Sequence, residues 1–87
     1  MKAIVIGLGS MGKRRIRCLQ ALGVSDIIGI DIREDRRLEV QNRYGIKTDI
    51  TFKRVVSNFS PDIAIISLPP KLHVSAMNEC INYNLPF

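Results

Sequence analysis

Three glycines near the start of the chain have a spacing that suits the binding of a phosphate-bearing ligand. Gly7, Gly9 and Gly12 form a G-x-G-x-x-G pattern directly after an apolar run and at the start of a stretch with helical periodicity. The first glycine allows a tight turn, the second lets the backbone approach a pyrophosphate, and the third lets the helix pack closely on a sheet. The helix N-terminus favours an anion. We therefore predict a dinucleotide-binding loop made of Gly7, Leu8, Gly9, Ser10, Met11 and Gly12, the alternative being a tight turn without a ligand.

A carboxylate follows the second apolar run at the distance that this loop requires. Asp31 lies about 20 residues beyond Gly12, where an acid accepts hydrogen bonds from the adenosine ribose hydroxyls. A carboxylate there favours NAD, because it would repel the 2′-phosphate of NADP. Arg33 could instead bind that phosphate, so NADP is the alternative cofactor. The predicted contact segment is Asp31, Ile32 and Arg33, and the alternative for Asp31 is a solvated loop carboxylate.

A third candidate segment follows the most apolar run of the chain, residues 61–68. Ligands of open parallel sheets bind at the carboxyl ends of the strands. Ser67, Leu68 and Pro69 are therefore predicted to line the adenosine and nicotinamide-ribose side of the site. His73 falls in the first turn of the next helix, close to the same edge. By spacing alone, a single histidine is more often structural or solvated than functional.

These segments are separated by short apolar runs and longer amphipathic stretches, which together predict βαβ units. Predicted strands cover residues 2–6, 26–31, 46–49 and 61–68, and predicted helices cover 10–22, 34–44, 51–59 and 71–84. Right-handed crossovers favour a Rossmann-type doubly wound parallel sheet of the α/β class with strand order 3-2-1-4. We expect one dinucleotide-binding domain over residues 1–87. Residues 85–87 look like the start of a truncated fifth strand, so we expect an N-terminal fragment of a longer protein.

Periodicity within the predicted helices indicates which side chains face the sheet. The predicted inward residues are Ile16 and Leu19 in the first helix, Leu38, Val40 and Tyr44 in the second, Val55, Val56 and Phe59 in the third, and Val74, Met77 and Ile81 in the last. Thr51 is predicted to cap the third helix, because its hydroxyl can accept a hydrogen bond from an N–H group of the first turn.

Composition excludes several other classes of protein. The chain has 87 residues, of which 46% are hydrophobic and 24% charged, an ordinary composition for one small folded domain. No apolar run approaches the ~20 residues that span a bilayer, and the start of the chain lacks a signal-peptide cleavage pattern. We therefore expect a cytoplasmic protein with no membrane partner. Cys18 and Cys80 form no CxxC pair and belong to no cluster that could bind zinc.

The net charge of +5 is concentrated in the segment KRRIR at residues 13–17. This segment lacks the interleaved aromatic residues that stack on single-stranded nucleic acid, and we predict no nucleic-acid partner. The favoured interpretation is an exposed basic face of the first helix. The alternative is that a bound anion compensates these cations, which otherwise oppose the helix dipole.

The combination of motifs resembles the N-terminal domain of the glucose-fructose oxidoreductase and myo-inositol dehydrogenase family. The glycine pattern and Asp31 are shared with many dinucleotide-binding domains. The more specific match is the second motif, in which Pro61 and Asp62 lead through an apolar run to Pro69, Pro70 and His73. The resemblance covers essentially the whole chain. It implies binding of NAD or NADP and hydride transfer to or from a sugar, a cyclitol or a related polyol.

The chain departs from that family at its end. In the family the fifth strand leads into a Glu-Lys-Pro motif whose Lys acts in proton transfer, and NLPF stops short of it at Phe87. The C-terminal α/β domain that binds the substrate is also outside this sequence. The resemblance therefore implies that no catalytic residue lies within these 87 residues and that the fragment alone is inactive. It further implies that His73 lines or shapes the nicotinamide end of the site, and that the full-length form is a homo-oligomer assembled through the C-terminal domain.

Two other functions fit the same residues. The chain could be a non-catalytic nucleotide-sensing module, because Rossmann domains also serve as sensors. It could also be the inactive remnant of a truncated gene. Binding of a dinucleotide separates the oxidoreductase domain and the sensing module from the remnant, since a ligand of the folded state must raise the unfolding midpoint.

Overall fold

The computed structural model describes residues 1–87 and contains four strands and four helices in strict alternation. The strands are β1 (Lys2–Ile6), β2 (Asp26–Ile30), β3 (Lys47–Asp49) and β4 (Ile63–Ile66), and the helices are α1 (Ser10–Ala21), α2 (Glu34–Tyr44), α3 (Phe52–Phe59) and α4 (Pro70–Asn82). The sheet has the order β3-β2-β1-β4, and every neighbouring pair is parallel. The predicted Rossmann-type α/β fold is confirmed. None of the helices is long and apolar enough to span a membrane.

Strand β1 is the centre of the sheet. Its residue Ile4 lies beside Ile28 of β2 on one side and Ala64 of β4 on the other. A strand with neighbours at both edges and helices on both faces must be apolar throughout. Residues Ala3 to Ile6 of β1 are accordingly all buried.

Side chains of β1 alternate between two separate cores, as the period of a strand requires. One core contains Ile4 and Ile6, and it receives residues from α3, α4 and the end of the chain: Phe52, Val55, Cys80 and Leu85. The other core contains Val5, and it receives residues from α1 and α2: Ile16 and Val40. Helices therefore cover both faces of the sheet, which makes the fold doubly wound.

The predicted inward face of α4 is wrong. Val74 and Ile81 are 65% and 59% exposed, and Met77 is only partly covered. The helix instead buries Ala76 and Cys80, which lie four residues apart on one face. The reason is that α4 packs beside β4, the edge strand of this sheet, so only a narrow stripe of the helix meets the sheet.

Two further predictions about helices need correction. Leu38 was predicted to face inward, but it is 47% exposed, and α2 reaches the core through the fully buried Val40. Thr51 does occupy the N-cap of α3, but its hydroxyl makes no capping bond. The carboxylate of Asp49 instead accepts a hydrogen bond from the N–H group of Ile50 at 2.6 Å. This bond gives a partner to a backbone donor in the turn that precedes the helix.

The last residues of the chain form no strand, although they run beside β4. The carbonyl oxygen of Pro86 accepts the N–H group of Ala64 at 2.8 Å, and Leu85 is buried in the core below α4. In place of the predicted fifth strand, these residues make one backbone hydrogen bond to the outer edge of β4. Strand β4 is shorter than its predicted range of 61–68, but bonds from Asp62 and Ser67 to β1 continue the pairing at both ends.

The two cysteines offer a direct test of this packing. Cys18 is exposed on α1, whereas Cys80 is fully buried, and burial raises the pKa of its thiol. Because the thiolate is the reactive form, we expect iodoacetamide at pH 8 to label Cys18 rapidly and Cys80 only after the molecule opens. Mass spectrometry of samples digested after different labelling times measures both rates. In the Cys18→Ser variant, only the labelling rate of Cys80 is measured. Equal labelling rates at the two sites would contradict the described core.

Candidate functional site

A cleft of about 520 Å³ opens at the carboxyl edge of the sheet. Its walls come from the segment after β2, the segment after β4 and the first turns of α4, namely Asp31, Ile32, Arg33, Leu68, Pro69 and Leu72. The volume falls in the range of small-molecule and cofactor sites, roughly 300–1,000 Å³. Two of the three segments singled out from the sequence therefore meet at one cleft, with the glycine loop beside them.

Two of the loop glycines are required by the packing of the backbone. Gly7 has a φ of +98°, and a Cβ atom there would lie 2.7 Å from the carbonyl oxygen of Ser67. A Cβ atom at Gly12 would overlap the carbonyl oxygen of Gly7. Neither position can accept a side chain unless the backbone moves. These two glycines therefore bring the ends of β1, β4 and α1 into direct contact.

Gly9 is different, because nothing in the chain requires a glycine there. Its backbone is extended, with φ of −75° and ψ of −160°, which any residue can adopt. A Cβ atom would make only an ordinary contact, 3.6 Å, with the flexible guanidinium of Arg36. Gly9 is the N-cap of α1, and the N–H groups of the first turn have no side-chain acceptor. The loop thus leaves open backbone at the start of a helix.

Asp31 connects the glycine loop to the end of β2. Its carboxylate accepts the N–H group of Leu8 at 2.9 Å through Oδ2 and the N–H group of Arg33 at 2.9 Å through Oδ1. The side chain of Asp31 is only 7% exposed. The side chain of Leu8 is fully buried against Gly29, so only the backbone of Leu8 belongs to the loop surface. Each carboxylate oxygen keeps a free acceptor position for a further donor.

Three arginines surround this carboxylate, and they differ in what they bind. Arg33 donates two hydrogen bonds to Asp35, at 2.7 and 3.1 Å, which raises the pKa of Arg33 and lowers that of Asp35. Arg37 donates to the carbonyl oxygens of Asp31 and Ile32, both at 2.9 Å. The guanidinium of Arg36 lies 3.7 Å from Oδ2 of Asp31. Arg36 was not among the site residues predicted from the sequence; its position in the first turn of the helix after Asp31 was the available signal.

The segment after β4 contributes one unsatisfied polar atom. The hydroxyl of Ser67 is buried and has no hydrogen-bond partner. Leu68 and Pro69 line the cleft. His73 faces a different cavity, on the outer edge of β4, and its Nε2 lies 2.6 Å from the carbonyl oxygen of Leu68. The structure therefore separates His73 from the cleft and connects it to the loop that forms one wall.

The basic segment of α1 lies outside the cleft. Lys13 forms an ion pair with Glu39 of α2 at 2.7 Å, which lowers the pKa of Glu39, and Arg17 donates to the hydroxyl of Tyr44 at 2.8 Å. The lysine side chain is only 19% exposed. The predicted exposed basic face is therefore only partly correct, because two of its cations bridge α1 and α2.

The loop geometry predicts opposite outcomes for two similar substitutions. Gly12→Ala introduces an overlap with backbone, and we expect it to cost about 3 kcal/mol, the upper end of the range for overpacked sites. Gly9→Ala introduces no overlap, and we expect it to cost less than about 1 kcal/mol, the effect of a poorer N-cap. Thermal unfolding of the two variants should give midpoints that differ by about 10 °C or more. Equal midpoints would show that the loop is not packed in this way.

Comparisons with known proteins agree with the fold. Residues 1–86 match the model of the GFO/IDH/MocA family, described as an oxidoreductase family with an NAD-binding Rossmann fold. A search of curated protein sequences finds no match.

Two solved structures share the fold at low sequence identity. One is described as an NADPH-dependent oxidoreductase from Desulfitobacterium hafniense, 19% identical over 97% of this chain, with a TM-score of 0.82. The other is the WlbA dehydrogenase from Chromobacterium violaceum in complex with NADH and UDP-GlcNAcA, 17% identical over 98% of this chain, with a TM-score of 0.85. The chain spans about a quarter of each of these proteins. On the strength of the family match, the chain belongs to the GFO/IDH/MocA family of oxidoreductases with an NAD-binding Rossmann fold.

Proposed function

We propose that this chain binds NAD or NADP in the cleft at the carboxyl edge of its sheet, with NAD preferred. It would serve as the cofactor-binding part of an oxidoreductase that acts on a sugar, a cyclitol or a related polyol. The observation that carries the proposal is Gly9. Its neighbours Gly7 and Gly12 are required by packing, whereas the open backbone at Gly9, the N-cap of α1, suits a ligand that approaches the backbone there.

The start of α1 would bind the pyrophosphate. The first-turn N–H groups that follow Gly9 have no side-chain acceptor, and the first turn contains no acidic residue. These groups carry the positive end of the helix dipole, so they stabilise a negative charge placed beside them. Ser10 and Met11 are exposed at this turn and fit the predicted contact segment.

Asp31 would accept hydrogen bonds from the adenosine ribose. Its two backbone partners fix the carboxylate in place, and the remaining acceptor position on each oxygen suits a hydroxyl donor. A fixed carboxylate disfavours the additional phosphate of NADP, which is the reason for the NAD preference. Arg33, the residue of the predicted segment that was the alternative partner of a 2′-phosphate, is exposed at the rim and already paired with Asp35.

The apolar walls of the cleft suit a flat aromatic base. Ile32, Ile50 and Leu72 all line it, and they are 81%, 46% and 44% exposed. Burying such side chains against an adenine ring removes apolar surface from water. Leu68 and Pro69 also line the cleft, next to Leu72.

The nicotinamide end would lie toward the segment after β4. A bound nicotinamide supplies the hydride acceptor or donor of the reaction. The hydroxyl of Ser67, which has no partner within the chain, would form a hydrogen bond with the ribose attached to the nicotinamide. His73 would act on this end indirectly, because its bond to the carbonyl oxygen of Leu68 shapes the loop.

The substrate and the assembly are proposed for the longer protein. A sugar-type substrate is supported by the family resemblance and by a solved neighbour that binds NADH together with UDP-GlcNAcA. Within these 87 residues we assign no catalytic acid or base, and we expect the isolated chain to bind cofactor without turning over a polyol. The full-length form is proposed to be a homo-oligomer.

Direct titration tests the proposal. We expect NADH to bind the purified chain with a change in nicotinamide fluorescence. At ten times its Kd it should stabilise the fold by about 1.4 kcal/mol, which corresponds to roughly 5–10 °C in the midpoint. Gly9→Ala should retain the fold but lose about tenfold or more in affinity, since its methyl group fills the approach to the backbone.

The control is Asn42→Ala, which changes an exposed residue of α2 that lies outside the cleft. This variant should bind NADH like the wild type. A wild-type chain whose midpoint does not move at millimolar NADH or NADPH would refute the proposed function.

A further inference from the structure

We propose that Arg36 sets the cofactor selectivity of this site, by compensating the charge of Asp31 and by binding the 2′-phosphate of NADP. This inference rests on the proposed function, because it concerns the same cleft. It goes further in naming the residue through which a site with a ribose-binding carboxylate still accepts NADP. From the sequence alone, Arg33 is the predicted partner of that phosphate.

The position of Arg36 is the first observation. It belongs to the first turn of α2, and its side chain reaches back over the glycine loop. Its Nη1 atom lies 3.7 Å from Oδ2 of Asp31 and 3.6 Å from the point where a Cβ atom of Gly9 would stand. The guanidinium therefore lies between the carboxylate proposed for the ribose and the backbone proposed for the pyrophosphate. A phosphate on the 2′-oxygen of that ribose would enter the same space.

The free donors of Arg36 are the second observation. Its guanidinium donates no hydrogen bond within the chain, and the 3.7 Å ion pair exceeds hydrogen-bond distance. Arg33 is held by the Asp35 carboxylate through its Nε and Nη2 atoms, and Arg37 is held by two backbone carbonyl oxygens through its Nη1 atom. Of these three arginines, Arg36 is thus the one whose guanidinium is not held in place by a hydrogen bond within the chain. A planar guanidinium can bind a phosphate through two parallel hydrogen bonds.

The charge balance is the third observation. Asp31 is nearly buried, so its negative charge is poorly screened by solvent and would repel a 2′-phosphate strongly. The positive charge of Arg36 offsets that repulsion in the same place. Loss of Arg36 would leave the carboxylate free to repel NADP, while its acceptor positions for the ribose hydroxyls of NAD would stay intact. The two cofactors should therefore respond differently to one substitution.

The experiment measures the ratio of two dissociation constants. NADH and NADPH are titrated by nicotinamide fluorescence into the wild-type chain and into Arg36→Ala. We expect the substitution to weaken the binding of NADPH by about tenfold or more, as for the loss of a charge-assisted hydrogen bond. We expect the affinity for NADH to change by less than about threefold, because Asp31 keeps its acceptor positions for the ribose hydroxyls and loses no hydrogen bond with Arg36.

Two more variants and a second pair of probes sharpen the result. Arg36→Lys keeps the charge but not the planar fork, so it should give an intermediate ratio. Arg33→Ala should leave the ratio unchanged, because that side chain is engaged with Asp35. Adenosine 2′,5′-bisphosphate and 5′-AMP, which lack the nicotinamide half, should reproduce the difference between NADPH and NADH in displacement titrations.

The outcomes separate this inference from the proposed function. If Arg36→Ala weakens the binding of NADH and NADPH equally, or weakens neither, the ratio of their dissociation constants does not change. That result would overturn the role of Arg36 but not the proposal that the chain binds a dinucleotide. A ratio that shifts in Arg33→Ala instead would assign the phosphate to that residue and overturn the inference. A wild-type chain that binds neither cofactor would overturn the proposed function itself. The midpoint of each variant without ligand shows whether it is folded, and Arg36→Lys provides the test should Arg36→Ala unfold.

Discussion

The glycine loop can exist only where three segments of backbone touch without side chains between them. The carbonyl oxygen of Ser67 approaches Gly7, and the carbonyl oxygen of Gly7 approaches Gly12. This double contact positions the start of α1 directly above the carboxyl ends of β1 and β4. The cleft, the free N–H groups of α1 and the buried hydroxyl of Ser67 all depend on that arrangement. In one short loop, Gly7 and Gly12 are therefore required by packing, and Gly9 between them leaves the backbone open to a ligand.

Asp31 extends the same constraint to the other side of the cleft. Its carboxylate joins the N–H group of Leu8 to the turn after β2, so a residue assigned to ligand binding also stabilises the loop. Substitution of Asp31 would therefore disturb structure and binding together. Arg36 faces this carboxylate with free donors, and Arg33 and Arg37 hold the surrounding turn through their own partners. The three arginines therefore have different roles because each one contacts a different partner.

Much of the fold could be predicted from the sequence because the relevant signals are local. Apolar runs, the glycine spacing and the two prolines after β4 locate the elements and the segments at the carboxyl edge, and the right-handed crossover rule then gives the strand order. The exposed face of α4 and the partner of Arg36 could not be predicted, because both depend on which elements lie beside them in space. Val74 and Ile81 have core-like periodicity, yet the edge position of β4 leaves them uncovered. His73 likewise follows the strand at the expected spacing but turns toward the outer edge of the sheet.

The central claim is that the loop around Gly9 contacts a dinucleotide, and amide chemical shifts during an NADH titration test it most directly. The account predicts that the largest shifts in a ¹H–¹⁵N spectrum occur at the first turn of α1, from Gly9 to Gly12, and at the turn after Asp31. Shifts confined to α3 or to the outer edge of β4, or no shifts at saturating NADH, would contradict it.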